Sequence, residues 1–214
     1  MWQSAWESGR TGFHQDRVHP DLERFAPQWL GERPRRVLVP LCGKTLDLAW
    51  LVARGHTTVG VELVPQAVHE LHTEQRRAHN RVPVGPYDAW QSAGLTVLQG
   101  DIFALEAEHC GAPTHAWDRA ALVALPADMR TAYVARLRRV LGPGGRVLLS
   151  SFAYDQTEMS GPPFSVTEAE VRRHYAGCTF EKLDEQQMID KMPGMRARGL
   201  SGVVVTTWLI QLPG

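Results

Sequence analysis

Apolar positions along this chain fall into short continuous runs and into longer stretches where they recur every three or four residues. Val37-Leu38-Val39 and Thr57 to Glu62 read as buried strands without polar alternation, which implies a parallel sheet covered on both faces. Leu95 to Leu98, Thr114 to Trp117 and Arg146 to Phe152 read as three further strands. Helical spacing predicts Leu46 to Arg54, with Leu48, Ala49, Leu51 and Val52 inward and Gly55 as C-terminal cap. A second helix starts at Pro65 and runs through Ala67, Val68 and Leu71 to about Arg77. The strongest helix is Pro126 to Leu141, whose apolar face is Met129, Tyr133, Val134, Leu137, Val140 and Leu141 and whose stop is Gly142-Pro143-Gly144-Gly145. Thr167 caps another, Glu168 to Tyr175. Arg81 to Gly94, with Pro83, Gly85, Pro86 and Gly94, reads as a loop or excursion. Phe180 to Ile189 and Gly202 to Leu212 pair as a closing hairpin whose last strand lies at or next to an edge. The sum is an α/β fold with a parallel core and a terminal antiparallel pair.

Residues 1 to 34 carry Trp2, Trp6, Phe13, Phe25, Trp29 and Leu30, too much apolar surface for a disordered tail. They predict one or two short helices, with the aromatics either core or a lid facing a ligand.

In a parallel sheet, ligands bind beyond the carboxyl ends of the strands. The loop Pro40 to Lys44 lies at such an end, and Gly43 lets the backbone approach a ligand closely. Glu62 follows about 20 residues later, the spacing at which an acid reaches ribose hydroxyls. This is a nucleoside site. A phosphate loop would need a glycine five positions before Gly43, where Leu38 stands inside the strand. A dinucleotide fingerprint needs three glycines, and only Gly43 is present. An adenosine-containing ligand without phosphates remains, with S-adenosylmethionine the obvious member. Asp101, past the third strand, either accepts from an adenine amino group or caps the next turn. Asp118 and Arg119 put two charges at another carboxyl edge. His69 and His72 share a face of the second helix without a third ligand nearby, so a solvated polar face is favoured over zinc.

Length changes this picture little: 214 residues suit one domain with a substantial core. Basic and acidic residues balance at 23 each, which argues against nucleic acid or a membrane surface as partner. No apolar stretch approaches the ~20 residues needed to span a bilayer, and the N-terminus lacks the pattern of a signal peptide. Cys42, Cys110 and Cys178 are far apart and odd in number, so a reduced, cytoplasmic protein is expected.

The chain resembles the thiopurine S-methyltransferase family over nearly its whole length. The residues that carry the resemblance are Trp6 with Gly9 to Gln15, Pro40-Leu41-Cys42-Gly43-Lys44, Arg54-Gly55-His56 and Gly60-Val61-Glu62. Further on come Asp101-Ile102-Phe103, Trp117-Asp118-Arg119-Ala120-Ala121-Leu122-Val123-Ala124, Tyr154-Asp155 and Gly161-Pro162-Pro163-Phe164. The resemblance implies a Rossmann-like, class I S-adenosylmethionine-dependent methyltransferase and methyl transfer to a sulfur acceptor. It implies cofactor contacts at Trp6, Leu41, Glu62 and Arg119, with Ile102 and Phe103 near the adenine. It also implies thiopurines or aromatic thiols as acceptors, and, for members of bacterial type, reduced selenium or tellurium species. Trp6 is thereby a ligand-facing residue of a lid formed by residues 1 to 34. Arg119 is the candidate for positioning the acceptor. A small-molecule substrate, no metal and a monomeric state complete the expectation. A halide or thiocyanate methyltransferase and a non-catalytic cofactor binder stay open as alternatives.

Overall fold

The structure is a computed structural model that describes residue 6, residues 14–76 and residues 78–214. The chain forms two compact units, Met1–Trp117 and Asp118–Gly214.

In the first unit the strand order is β3-β4-β5-β2-β1-β6. β1 (Arg36–Pro40) pairs in parallel with β2 (Thr57–Glu62), from Arg36 opposite Thr57 to Pro40 opposite Val61. β2 pairs in parallel with β5 (Leu95–Gln99), and β1 with β6 (His115–Arg119), where Val37 faces His115. Val37, Leu38 and Val39 are all buried, as strands covered on both faces require. The chain steps outward from β1 to β2 and β5, then returns to lay β6 on the other side of β1. That reversal makes the carboxyl end of β1 the topological switch point, the place where open α/β sheets bind ligands.

Around these strands lie α1 (Pro20–Leu30), α2 (Asp47–Ala53) and α3 (Pro65–Glu74). Leu22, Phe25, Ala26, Trp29 and Leu30 of α1 are buried, so Phe25 and Trp29 are core residues; Trp2 and Phe13 lie outside the described residues. On α2, Leu48 and Leu51 are fully buried, while Ala49 and Val52 are only half-buried. His72 of α3 is buried and not on a solvated face. Its ring lies 5.1 Å from Trp90, and its Nδ1 is 2.9 Å from the Val68 carbonyl. No group of three His, Cys, Asp or Glu among the described residues is arranged to hold a metal.

The segment Arg81 to Gly94 is a hairpin and not a loop. β3 (Asn80–Val84) and β4 (Tyr87–Ser92) pair antiparallel, and β4 joins β5 antiparallel. Gly85-Pro86 is its two-residue turn. Pro83 sits on the outermost strand, where the missing N–H costs no ladder bond. Proline and glycine mark hairpin turns and loops alike, which is why the composition misled.

The second unit holds β7 (Arg146–Ala153), β9 (Val204–Gln211) and β8 (Thr179–Gln187) side by side in that order, both pairings antiparallel. β9 is therefore the next-to-edge strand. α4 (Ala127–Leu141) buries Tyr133, Val134, Leu137, Val140 and Leu141 as its spacing predicts. Met129, however, is 38% exposed, while Arg130 is only 2% exposed. Arg130 is buried because its guanidinium meets three acceptors. Nε donates to the Leu125 carbonyl at 2.9 Å, and Nη1 to the Ser165 carbonyl at 3.1 Å and to Glu170 at 2.7 Å. α5 (Glu168–His174) is capped by the Thr167 hydroxyl, which accepts from the Glu170 N–H at 3.3 Å. The β8–β9 connection contains α6 (Pro193–Ala197). No helix among the described residues is long and apolar enough to cross a membrane.

Candidate active site

The switch point is built from the β1 loop and the end of β2. Beyond Pro40, Leu41 adopts a left-handed backbone at φ 48, sparsely populated for a side-chain-bearing residue and typical of ligand loops. Cys42 then extends the β1–β2 ladder, its N–H donating to the Val61 carbonyl at 3.0 Å. Gly43 is also left-handed, at φ 52, and a Cβ there would stand 3.4 Å from the Trp6 ring. Glycine is therefore needed for the turn, while a Cβ would meet the Trp6 ring only at ordinary contact distance.

Glu62 ends β2 with its carboxylate turned onto this loop. Its Oε2 accepts the Gly43 N–H at 2.8 Å and its Oε1 the Val64 N–H at 2.8 Å. The carboxylate thus clamps the first loop and also fixes the start of α3. Burial pushes the Glu62 carboxyl up, against the lowering pull of hydrogen bonds from Val64, Gly43 and Leu63. An ionised carboxylate has about four lone-pair sites. Three N–H donors still leave acceptor capacity for a ligand hydroxyl.

Lys44 would be the phosphate-binding lysine of a P-loop, but it is committed elsewhere. Its Nζ lies 2.8 Å from Glu70 Oε2 and 2.6 Å from Glu74 Oε1, and the side chain is 12% exposed. The only cation of the loop is thereby neutralised, so no anion hole forms. The same ammonium stands 5.9 Å from the Trp6 ring centre. Trp6, 3% exposed, contacts Val64 and Ala67. It is buried, and its ring lies against the site loop. The residues on either side of Trp6 lie outside the described residues.

Asp101, beyond β5, caps a short turn formed by Ile102–Ala104: its Oδ1 accepts the Phe103 N–H at 2.9 Å. Of the two roles predicted for Asp101, this contact is the cap. Ile102 is buried and Phe103 half-buried. The Tyr87 hydroxyl, from the hairpin that reads as a loop in the sequence, donates to the Asp101 carbonyl at 2.8 Å and steadies this turn.

Asp47 is a site-loop residue the sequence reading missed. Its carboxylate, buried in α2, accepts the His19 N–H at 2.9 Å and the Trp117 Nε1–H at 2.7 Å. One acid thus ties the approach to α1, the helix after the site loop and the end of β6. A polar residue at the first position of an apolar helix was the available signal.

In the second unit, Arg119 ends β6 and is half-buried. Asp118 beside it, at the same carboxyl end of β6, is fully buried. Its Oδ1 accepts the Leu122 N–H at 3.1 Å and its Oδ2 the Tyr133 hydroxyl at 2.7 Å.

A Rossmann-like sheet with a loop-and-acid crevice at its switch point is the architecture of the S-adenosylmethionine-dependent methyltransferases. Solved structures agree on the fold. The chain superposes with a TM-score of 0.63 on 1,6-didemethyltoxoflavin-N1-methyltransferase of Burkholderia thailandensis, covering all of this chain and 86% of that one at 22% identity. Among curated relatives, a thiopurine S-methyltransferase of Pseudomonas paraeruginosa is 40% identical over 99% of this chain and 97% of its own length. One from Bordetella petrii is 41% identical over all of this chain and 98% of its own. The thiopurine S-methyltransferase family model matches residues 1–211, and the chain belongs to that family.

Proposed function

We propose that this protein transfers a methyl group from S-adenosylmethionine to the sulfur of a thiopurine or other aromatic thiol. The observation that carries this reading is the Glu62 clamp: a carboxylate with spare acceptor capacity, hydrogen-bonded to the glycine of the switch-point loop. The donor set fits that cofactor. Carboxylate and backbone suit an adenosyl sulfonium, and the one lysine that would favour phosphate is held by Glu70 and Glu74. When bound, S-adenosylmethionine supplies an electrophilic methyl on a cationic sulfur.

Glu62 would accept the ribose hydroxyls, the Leu41 to Gly43 backbone would line the cofactor, and Ile102 and Phe103 would flank the adenine. Trp6 would cover the loop and exclude water. The second carboxylate oxygen of Asp101 is available to the adenine amino group. Arg119 would position the acceptor sulfur in line with the methyl carbon within ~3–3.5 Å. An aromatic thiol is substantially ionised near neutral pH, and the thiolate is the nucleophile, so no dedicated base is needed. Reduced selenium and tellurium anions are further candidate acceptors. We place the protein in the cytoplasm as a monomer, where its three free cysteines stay reduced.

The test is product detection by mass spectrometry with purified protein, S-adenosylmethionine and a panel of thiopurines, aromatic thiols, hydrogen selenide, hydrogen telluride and halides. Methylated thiol product supports the reading. Methyl halides alone would reassign the acceptor, and tight cofactor binding without any product would make the protein a binder.

A further inference from the structure

Asp118 is a buried ionisable group to which the proposed chemistry gives no task. Asp118 has no solvent exposure, and burying a carboxylate is costly unless donors meet it. Here the donors are the backbone N–H groups of Leu122 and Ala121 and the hydroxyl of Tyr133. Two of the three belong to the turn that immediately follows Arg119. Within that turn Ala120 is left-handed at φ 73, a conformation that an alanine keeps only when its surroundings over-determine it. The Asp118 carboxylate reaches across Ala120 to the next two N–H groups and so closes the turn around the strained residue. Tyr133 is fully buried on α4, and its hydroxyl holds the other carboxylate oxygen. Its three donors all meet the one carboxylate, so the turn and α4 share a single anchor.

We infer that Asp118, held by Tyr133, is the positioning residue for Arg119: it locks the strand-end turn that fixes where the Arg119 backbone points. This rests on the reading of Arg119 as the acceptor-positioning group. Burial pushes the Asp118 carboxyl up to about 6, which brings loss of its charge, and of one acceptor, within reach of ordinary assays. The ionisable groups that sense Asp118 are Tyr133 and, at the end of α5, Tyr175. Both phenols are raised well above their ordinary value, so neither titrates in this range.

The experiment compares Tyr133→Phe, Asp118→Asn and Arg119→Ala with the parent enzyme. Assays use saturating cofactor and an acidic aromatic thiol that remains ionised across the pH range. Cofactor affinity is followed in parallel by calorimetry and stability by thermal melting. The expected result is a roughly tenfold loss in kcat/KM for the thiol in Tyr133→Phe, the size of one hydrogen bond to a charged group. Cofactor affinity should stay unchanged. Asp118→Asn should additionally lose the acid limb that the parent shows near pH 6. If Arg119→Ala is impaired while Tyr133→Phe and Asp118→Asn handle the thiol normally, the positioning role is wrong. Parallel losses of melting temperature, cofactor affinity and turnover in Tyr133→Phe would overturn it too, as would a parent profile without the limb. Normal turnover by Arg119→Ala would instead refute the Arg119 reading, and the positioning role with it.

Discussion

Glu62 and Asp118 are both acids withdrawn from water, and burial pushes both carboxyls up. For Asp118 the ordinary value of 3.8 becomes about 6 in the fold. The folded state therefore holds that proton more tightly than the unfolded chain does. Its contribution favours folding below the ordinary value and is lost as pH rises through about 6. Across this window the parent's denaturant midpoint should fall relative to that of Asp118→Asn as pH rises. Glu62 acts with the same sign in both proteins, and His56, Glu70 and Glu168, whose values are lowered, act with the opposite sign in both, so the difference isolates Asp118. Superimposable pH curves for the two proteins would contradict this assignment. Gly43 makes a second residue-scale case. Its φ of 52 is strained for any side chain, so Gly43→Ala should cost about 1 kcal/mol in chemical denaturation, and a stabilised variant would show that the turn relaxes freely.

At the scale of elements, α4 shows where a periodic pattern stops being informative. Its apolar spacing places Tyr133, Val134, Leu137, Val140 and Leu141 correctly, but the charged Arg130 is buried while the apolar Met129 is partly exposed. Arg130 joins the end of one loop, at Leu125, to the segment before α5, at Ser165 and Glu170. Arg130→Ala would leave the Leu125 and Ser165 carbonyls and Glu170 without this donor. It should lower unfolding free energy by about 3 kcal/mol, as removal of one member of a buried pair does. A loss within the range of surface substitutions would mean that water replaces the guanidinium. The hairpin β3–β4 makes the complementary point. Its Pro and Gly residues are turn and edge devices in a real pair of strands, and single-chain composition does not separate those from a loop. By contrast β1, β2 and β5 were readable almost to the residue, because strands buried on both faces have no polar positions to blur them.

Across the whole molecule, legibility of the candidate site follows the same division. Backbone-driven features were visible in the sequence: Gly43 at the loop, Glu62 one strand later, and the loop motif that marks the family. The ties made by side chains were not, because Asp47 to Trp117 and Asp118 to Tyr133 bridge positions far apart in sequence or on different elements. Lys44 is a case where sequence and structure agree: Leu38 already excludes a phosphate loop around Gly43-Lys44-Thr45, and Glu70 and Glu74, a helix away, hold the lysine. The central claim is that Glu62 binds the cofactor from the end of β2. It is tested most directly by titrating S-adenosylmethionine into the parent protein and into Glu62→Ala by calorimetry, with melting curves to confirm folding. A folded Glu62→Ala protein that binds ~1.5–3 kcal/mol more weakly is the predicted result, the range for a hydrogen bond to a charged group. Unchanged affinity in a folded variant would contradict it.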